Sequence, residues 1–271
     1  MLLRARNVRI KNMKIVGNFH LTGTRSQQRV NQASTEGEAG ATSQPNAGVS
    51  VYGGDGVWVT DMDIREVFGD GVLTGISEYV ENSAPYESPR NVHVERVTAT
   101  TTARHCFSPD QVDGFWLEDS TGRDCWYMAI DAELDGVDQI LRNVHFLRNT
   151  FDGFLMGGIF VPVAGNADST ADIEVRGNRF LTRPDNVCNQ MILVGAYPTN
   201  PNKFRNVVVD ENSFANLSGA AVELDHVQGG SIQNNRIEKY SEVGCSYPNV
   251  TAPVKVTNSF GVTVAGNGPA L

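Results

Sequence analysis

Apolar positions along this chain come in short runs and never at helical spacing. Val92-His93-Val94-Glu95-Arg96-Val97 alternates, and Val207-Val208-Val209 is continuously apolar. Both read as strands, since alternation over about four to eight residues marks a half-buried strand. One motif follows such strands repeatedly: a valine- or hydroxyl-rich stretch, then Asn, then usually an apolar residue. It appears as Val16-Gly17-Asn18-Phe19, Leu147-Arg148-Asn149-Thr150-Phe151 and Val175-Arg176-Gly177-Asn178-Arg179-Phe180. It returns as Val209-Asp210-Glu211-Asn212-Ser213-Phe214, Ile232-Gln233-Asn234-Asn235-Arg236-Ile237 and Val264-Ala265-Gly266-Asn267. From Asn149 onward these asparagines are 29, 34, 23 and 32 residues apart. Variable loops inserted into a coil of about 22 residues give such a spread.

The pattern predicts an all-β protein, a right-handed parallel β-helix of about eight coils. Strands too short to bury anything alone pair with their equivalents above and below, and together enclose one apolar interior. An asparagine at a fixed turn tolerates left-handed backbone, and its amide can bond to the next asparagine in the stack. The coils are expected at Leu3–Gly48 (a strand and a long polar insertion at about 21–47), Val49–Tyr86, Arg90–Val112, Asp113–Leu134 and Asp135–Pro162. Ala171–Pro198, Lys203–Val227, Gln228–Asn258 and a partial Phe260–Asn267 follow. Asp-Gly recurs at Asp55, Asp70, Asp113, Asp135 and Asp152, but at coil spacing rather than between matched hairpin strands. The whole of 1–271 reads as one domain. Strand patterns run close to both ends with no capping helix, which is expected of a segment of a longer protein or of chains that cover one another's edges.

Composition narrows the partners. The 271 residues carry a formal charge of −9, and phosphate backbones need a concentrated basic surface, so nucleic acid is not expected. No apolar run approaches the roughly 20 residues of a membrane span, and membrane insertion is not expected. Cys106, Cys125, Cys188 and Cys245 stand far apart without a C-x-x-C pair. They read as buried free thiols rather than zinc ligands, and leave the redox compartment open.

The stacked V-x-x-N-x-F coils, with Asn18, Asn149, Asn178, Asn212 and Asn235 as turn residues, resemble the pectate-lyase-like β-helix superfamily. The pattern is most similar to β-helix repeat proteins of bacteria and bacteriophage tails. That resemblance implies an extracellular or virion-associated protein handling polysaccharide, with tailspike-like homotrimers among the assemblies. Glycoside hydrolases, lyases, epimerases and non-catalytic adhesins all occur on such a fold, and fold does not give function. The polygalacturonase-type N-T-D, D-D and G-H-G set is missing, as is the Tyr-Gly-x-Asp-Pro-His of alginate epimerases. So is the pectate-lyase combination of calcium-binding aspartates with R-x-P-x-x-R. No catalytic residue carries over by motif.

The densest chemistry lies between Arg104 and Asp135. Asp110 and Asp131 are 21 residues apart, close to one coil; Asp131 and Glu133 are two apart, hence on one strand face. Glu223 and Asp225 form a similar pair further on, and Asp152 is another 21 residues beyond Asp131. Together they suggest an acidic stripe down one sheet. Glycoside hydrolysis needs two carboxyl groups, one protonated and one ionised, and close stacking pushes their pKa values apart. Asp110, Asp131 and Glu133 are the catalytic candidates. His105 is the candidate proton shuttle and Arg104 a substrate contact. Trp126 and Tyr127 are candidate sugar platforms, with Glu223 and Asp225 further along the groove. The competing readings are glycan or metal binding, and a merely solubilising acidic face with Phe115, Trp116 and Trp126 as interior filling. No cofactor is expected; calcium is the one ion an acidic stripe would invite. A lyase would need a base with clustered cations, and Arg104, Arg123, Lys203 and Lys255 do not cluster in register. The inserted segments Leu21–Ala47, Glu78–Pro89, Asn166–Thr170 and Val243–Ala252 are where groove walls are expected, the first reading equally as a lid, a mobile surface loop or a subunit contact.

Overall fold

A computed structural model describes residues 1–17, 19, 47–81, 84–134, 139–154, 157–163, 170–182, 190–196, 204–217, 219–238 and 253–269. The chain winds as a right-handed parallel β-helix of nine coils, the last of them the partial coil expected from Phe260 on. Each coil gives one strand to each of three nine-stranded, all-parallel sheets. The fifth coil shows the pattern: Met128–Asp131 in sheet 1, Leu141–Leu147 in sheet 2 and Thr150–Phe154 in sheet 3. Among the described residues helix is confined to one 3-10 turn at Ser77–Tyr79.

Alternation decides which side chains enter the prism. In sheet 2, Val57, Val92, Phe115, Val144, Ile173 and Val207 stand in register and are buried. In sheet 3, Phe151, Phe180 and Phe214 stack in the same way, with ring centroids 5.3 and 5.1 Å apart. Each such side chain, removed from water, stabilises the fold by roughly 1.5–3 kcal/mol. Phe115 is thus interior filling, as one reading held.

The turn from sheet 2 to sheet 3 has two residues in all nine coils. Its first residue adopts left-handed φ throughout, from Asn12 and Asp61 to Arg148, Glu211 and Gly266. The second is Met13, Met62, Val97 and Ser120 in the early coils, then Asn149, Asn178, Asn212, Asn235 and Asn267. The left-handed residue therefore precedes the repeated asparagine, contrary to expectation. The asparagine is chosen for its amide. Asn178 Nδ2 donates to Phe146 O (2.7 Å) and to Asn212 Oδ1 (3.0 Å), while its own Oδ1 accepts from the backbone N–H and Nδ2 of Asn149. Asn149, Asn212, Asn235 and Asn267 continue the ladder. Asn18 lies outside the described residues, and the strand before it, Lys14–Val16, belongs to sheet 3, so it is out of the asparagine frame.

Cys106 and Cys125 form a disulfide with Cα atoms 5.3 Å apart, which corrects the free-thiol reading for those two. Their sequence separation of 19 makes one short coil, and stacking returns the chain to its starting point. Cys188 and Cys245 lie outside the described residues.

Candidate active site on sheet 1

With the sheet 2 to sheet 3 turn held at two residues, the large changes in coil length fall at the two edges of sheet 1. Residues 17–48 and 238–253 lead into sheet 1 strands, while 76–89, 132–140, 164–169 and 197–203 lead out of them. Functional side chains on a rigid scaffold gather where loops vary. The expected inserted segments all border sheet 1. Of these, residues 21–46, 166–169 and 243–252 lie outside the described residues. The Glu78–Pro89 segment is tied to the first coil by Arg4–Glu81 (2.7 Å), Arg4–Glu87 (3.1 Å) and Arg6–Glu87 (2.7 Å) pairs.

The outward face of sheet 1 carries the predicted residues, in a different register from the one expected. Phe107 pairs with Ile130, a step of 23 rather than 21. Asp131 therefore stands in the column of Ser108, with Glu133 two residues beyond it. Asp131 is followed along its column by Phe160, Leu193, Glu223 and Lys255. Asp225 lies in the neighbouring column, two residues on from Glu223. Asp131/Glu133 and Glu223/Asp225 thus share a face, three coils or about 14 Å apart. The expected continuous acidic stripe is broken, because the two intervening coils present Phe160 and Leu193. Asp152 is not on this face at all: it pairs in sheet 3 with Arg123.

Around Asp131 the site is dense. A cavity of about 250 Å³ is lined by Arg104, His105, Tyr127, Met128, Asp131, Glu133 and Phe160. Arg104 and His105 come from the corner between sheets 3 and 1, one coil before Asp131, and are held there by backbone bonds. Arg104 O accepts from Tyr127 N–H (2.9 Å), and the N–H of His105 donates to the fully buried Asp70 (3.0 Å). His105 Nδ1 accepts the N–H of Met128 at 3.3 Å, which leaves the proton on Nε2, 3.1 Å from Asp131 Oδ2. Burial, and secondarily the Arg104 charge, holds the His105 pKa well below its ordinary 6.5. Asp110 is displaced oppositely: burial, then the nearby Asp131 and Asp70, push its carboxyl well above the usual range despite Arg104. Burial also raises Asp70, against the pull of Arg104, the His105 N–H and Ser108. For Arg104 itself, burial works against the charge, but Asp70, Asp110, Asp131 and Glu133 outweigh it and keep its pKa raised.

A stability prediction follows from His105. Its folded-state pKa is depressed, so the folded state binds fewer protons than the unfolded chain below about pH 6.5. The stability linked to a neutral His105 is therefore present above that pH and lost as pH falls below it. His105→Gln should flatten this acid-side loss in denaturant titrations at stepped pH. A wild-type slope unchanged in the variant would place the loss elsewhere.

Three expected contacts change. Trp126 is buried, so its faces are closed to a sugar; it is covered at the corner without joining the core cluster that holds its neighbour Cys125. Tyr127 lines the cavity, its ring centroid 5.8 Å from that of His105. Glu223 is paired with Lys255, while Asp225 accepts from Thr257 Oγ1 (2.8 Å) and Asn258 Nδ2 (2.9 Å). In that second pair the Glu223 charge is offset by Lys255, and Asp225 is held by neutral donors. Phe160 was missed, since only the true register reveals it as the neighbour of Asp131. Among the described residues no group of three His, Cys, Asp or Glu side chains gathers in metal-holding geometry, and no helix is long and apolar enough to cross a membrane.

Sheet 2 presents a second conspicuous face. Trp58, His93, Trp116 and His145 stack in consecutive coils with centroids 5.4, 4.4 and 5.5 Å apart and planes within 10°. Arg9 covers the outer face of Trp58, and His145 Nδ1 is paired with Glu174 at 2.9 Å. Trp116 is therefore outside the prism rather than interior filling. Because each ring face is covered by the next group, the column braces the sheet instead of offering a platform.

No family model and no curated protein sequence matches the chain. Among solved structures it is similar to the catalytic unit of a thermostable GH87 alpha-1,3-glucanase from Streptomyces thermodiastaticus strain HF3-3. The identity is 14% and the TM-score 0.40, over 84% of this chain and 51% of that one, so the chain spans about half of that structure's length.

Proposed function

We propose that this β-helix cleaves glycosidic bonds in a polysaccharide laid along sheet 1, with Asp110 as general acid and Asp131 as base or nucleophile. The observation that carries this reading is the division of labour between Asp131, which lines the sheet 1 cavity, and Asp110, which is buried beside it and is not among the lining side chains. Burial and neighbouring carboxylates push the Asp110 carboxyl well above its usual range, toward the acid form, while Asp131 accepts the Nε2–H of His105. Hydrolysis of a glycoside asks for one carboxyl in each state. Arg104 keeps the crowded carboxyls from being expelled as a group, Glu133 supplies a further acceptor, and Phe160 with Tyr127 gives apolar surface for sugar C–H faces. A lyase reading is disfavoured, because the Arg104 cation at the site already faces four carboxyls and is not offered to a uronate. A cystine in the core supports an oxidising compartment, consistent with extracellular or virion-associated work.

The test is to incubate the protein with a panel of bacterial surface polysaccharides and follow new reducing ends. The expected result is release of reducing ends from at least one polymer. Binding on a glycan array with no product after prolonged incubation would overturn the enzyme reading in favour of a non-catalytic adhesin.

A further inference from the structure

The disulfide occupies a place that the fold fills elsewhere without a covalent bond. The inward column of sheet 3 runs Ile64, Ala99, Gly122, Phe151, Phe180, Phe214. In the later coils three phenylalanines pack it. At the two small residues, the space is taken by the cystine: a Cβ on Gly122 would meet Cys106 Cβ at 3.2 Å and its Sγ at 3.3 Å. Aromatic filling would have served the core equally well, so packing alone does not explain a crosslink in these coils. What distinguishes them is what the cysteines are joined to. Cys106 directly follows Arg104-His105, and Cys125 directly precedes Trp126-Tyr127-Met128. These two segments supply the Arg104, His105, Tyr127 and Met128 walls of the cavity.

We infer that the Cys106–Cys125 disulfide is a positioning element for the sheet 1 site, fixing the Arg104–His105 segment against Tyr127–Met128 so that His105 Nε2 stays on Asp131. This rests on reading that cavity as the working site. The bonds across the joint are few: Trp126 N–H to Thr102 O at 3.1 Å, Tyr127 N–H to Arg104 O at 2.9 Å, and the longer Met128 N–H to His105 Nδ1 and Cys106 N–H to Met128 O, at 3.3 and 3.4 Å. A crosslink beside them removes the sliding freedom that such long bonds would allow. Both cysteines are buried, so a reductant reaches neither sulfur in the folded state. The device is a permanent clamp and not a redox switch.

The experiment follows the His105 ring by NMR in histidine-labelled protein, with His105→Gln identifying its signals. Wild-type His105 should show the Nε2–H tautomer and no titration near pH 6.5. In a Cys106→Val/Cys125→Ala variant, which keeps apolar volume, His105 should titrate near its ordinary value while the other histidines are unmoved, and turnover on any cleaved glycan should drop at least tenfold. An unaltered His105 signal in the folded variant would reduce the disulfide to a core staple. Hydrogen exchange on the wild-type protein gives an answer even if the variant fails to fold. Amides of Trp126 and Tyr127 should exchange only through global unfolding, and exchange through local opening would refute the clamp. A released His105 in a protein that cleaves no glycan would sink the hydrolase reading and leave the positioning role intact.

Discussion

Asn178→Ala is expected to lower stability by about 3–5 kcal/mol, as the sum of several buried groups left without partners at about 1–3 kcal/mol each. Asn178 is the middle rung of the ladder and is fully enclosed. Removing its amide leaves the backbone N–H of Asn149 and the Phe146 carbonyl without these partners, and takes one of two acceptors from Asn149 Nδ2, which keeps Leu117 O. Asn212 Oδ1 loses one donor but keeps the Asn178 backbone N–H. Position within the stack sets the size of the effect. Asn267, on the last rung, accepts from Asn235 and donates to Ile232 O in a part-buried setting. Water can replace much of what it provides, so Asn267→Ala should cost only about 1 kcal/mol. Asn178→Asp should be at least as damaging as alanine, because its second oxygen would face the Phe146 carbonyl and Asn212 Oδ1 with no proton to offer. Denaturant midpoints, read with the unfolding slope because solenoids do not always melt as one unit, give the comparison. Equal shifts for Asn178→Ala and Asn267→Ala would show that the amides merely occupy turns.

That gradient explains why so much of the fold was legible. The ladder needs asparagine at one point of each of the last five coils, so its intervals of 29, 34, 23 and 32 residues are the lengths of those coils themselves. A less obvious signal was also present. Each sheet 2 strand opens on a left-handed residue with φ between 50° and 89°: Asn7, Gly56, Asn91, Gly114, Asn143, Asp172, Asn206, Gly229 and Gly261. Only Gly, Asn and Asp occupy this position, which is the preference expected for such backbone. Arg-Asn-Val at Arg6, Arg90, Arg142 and Arg205, and Asp-Gly at Asp55 and Asp113, are therefore one recurring start signal. Read in that frame they would have counted the early coils, where the ladder position is Met13, Met62, Val97 or Ser120 and the asparagine is missing. The left-handed residue of the other turn leaves no such mark, because Arg96, Arg148 and Glu211 take that conformation as Gly177 does.

The site was less legible for a geometric reason. Asp110, Asp131, Glu133, Arg104 and His105 were brought together as expected, since a cluster within about 30 residues spans little more than one coil. Which of them align depends on register, and the step between Phe107 and Ile130 includes a corner whose length no local pattern reveals. An error of two residues moved Asp131 from beside Asp110 to beside Ser108, and hid Phe160. Trp126 failed as a platform because it is covered at a corner even though its neighbour Cys125 already points into the core, and strand alternation does not reveal such covering. The disulfide was invisible for the same reason: Cys106 and Cys125 meet only after one full circuit of the prism.

Asp110→Asn should move activity and stability in opposite directions, which separates a functional carboxyl from a structural one. If Asp110 delivers the proton to the leaving sugar, its amide cannot, and cleavage should fall by about 10²–10⁴-fold, the usual worth of general acid catalysis. Asp131→Asn should cause a comparable loss, because an amide neither takes a proton nor attacks carbon. The stability effects differ. Asp110 has a folded pKa raised by burial and by Asp131 and Asp70, so the folded state holds a proton that the unfolded chain releases near its ordinary 3.8. Stability is then greatest below that value and declines as pH rises toward the raised folded pKa. Asparagine carries no such linkage. Asp110→Asn should be more stable than wild type at neutral pH and lose that advantage near pH 4, a form of the exchange between stability and activity common at working sites. Asp131→Asn gives up the acceptor for His105 Nε2–H and should gain nothing comparable. Denaturant midpoints at pH 4 and pH 7, beside initial rates of reducing-end release, supply the whole comparison. An Asp110→Asn protein that is less stable than wild type at neutral pH yet cleaves at the wild-type rate would remove Asp110 from the chemistry and leave it a buried strut of the sheet 1 edge.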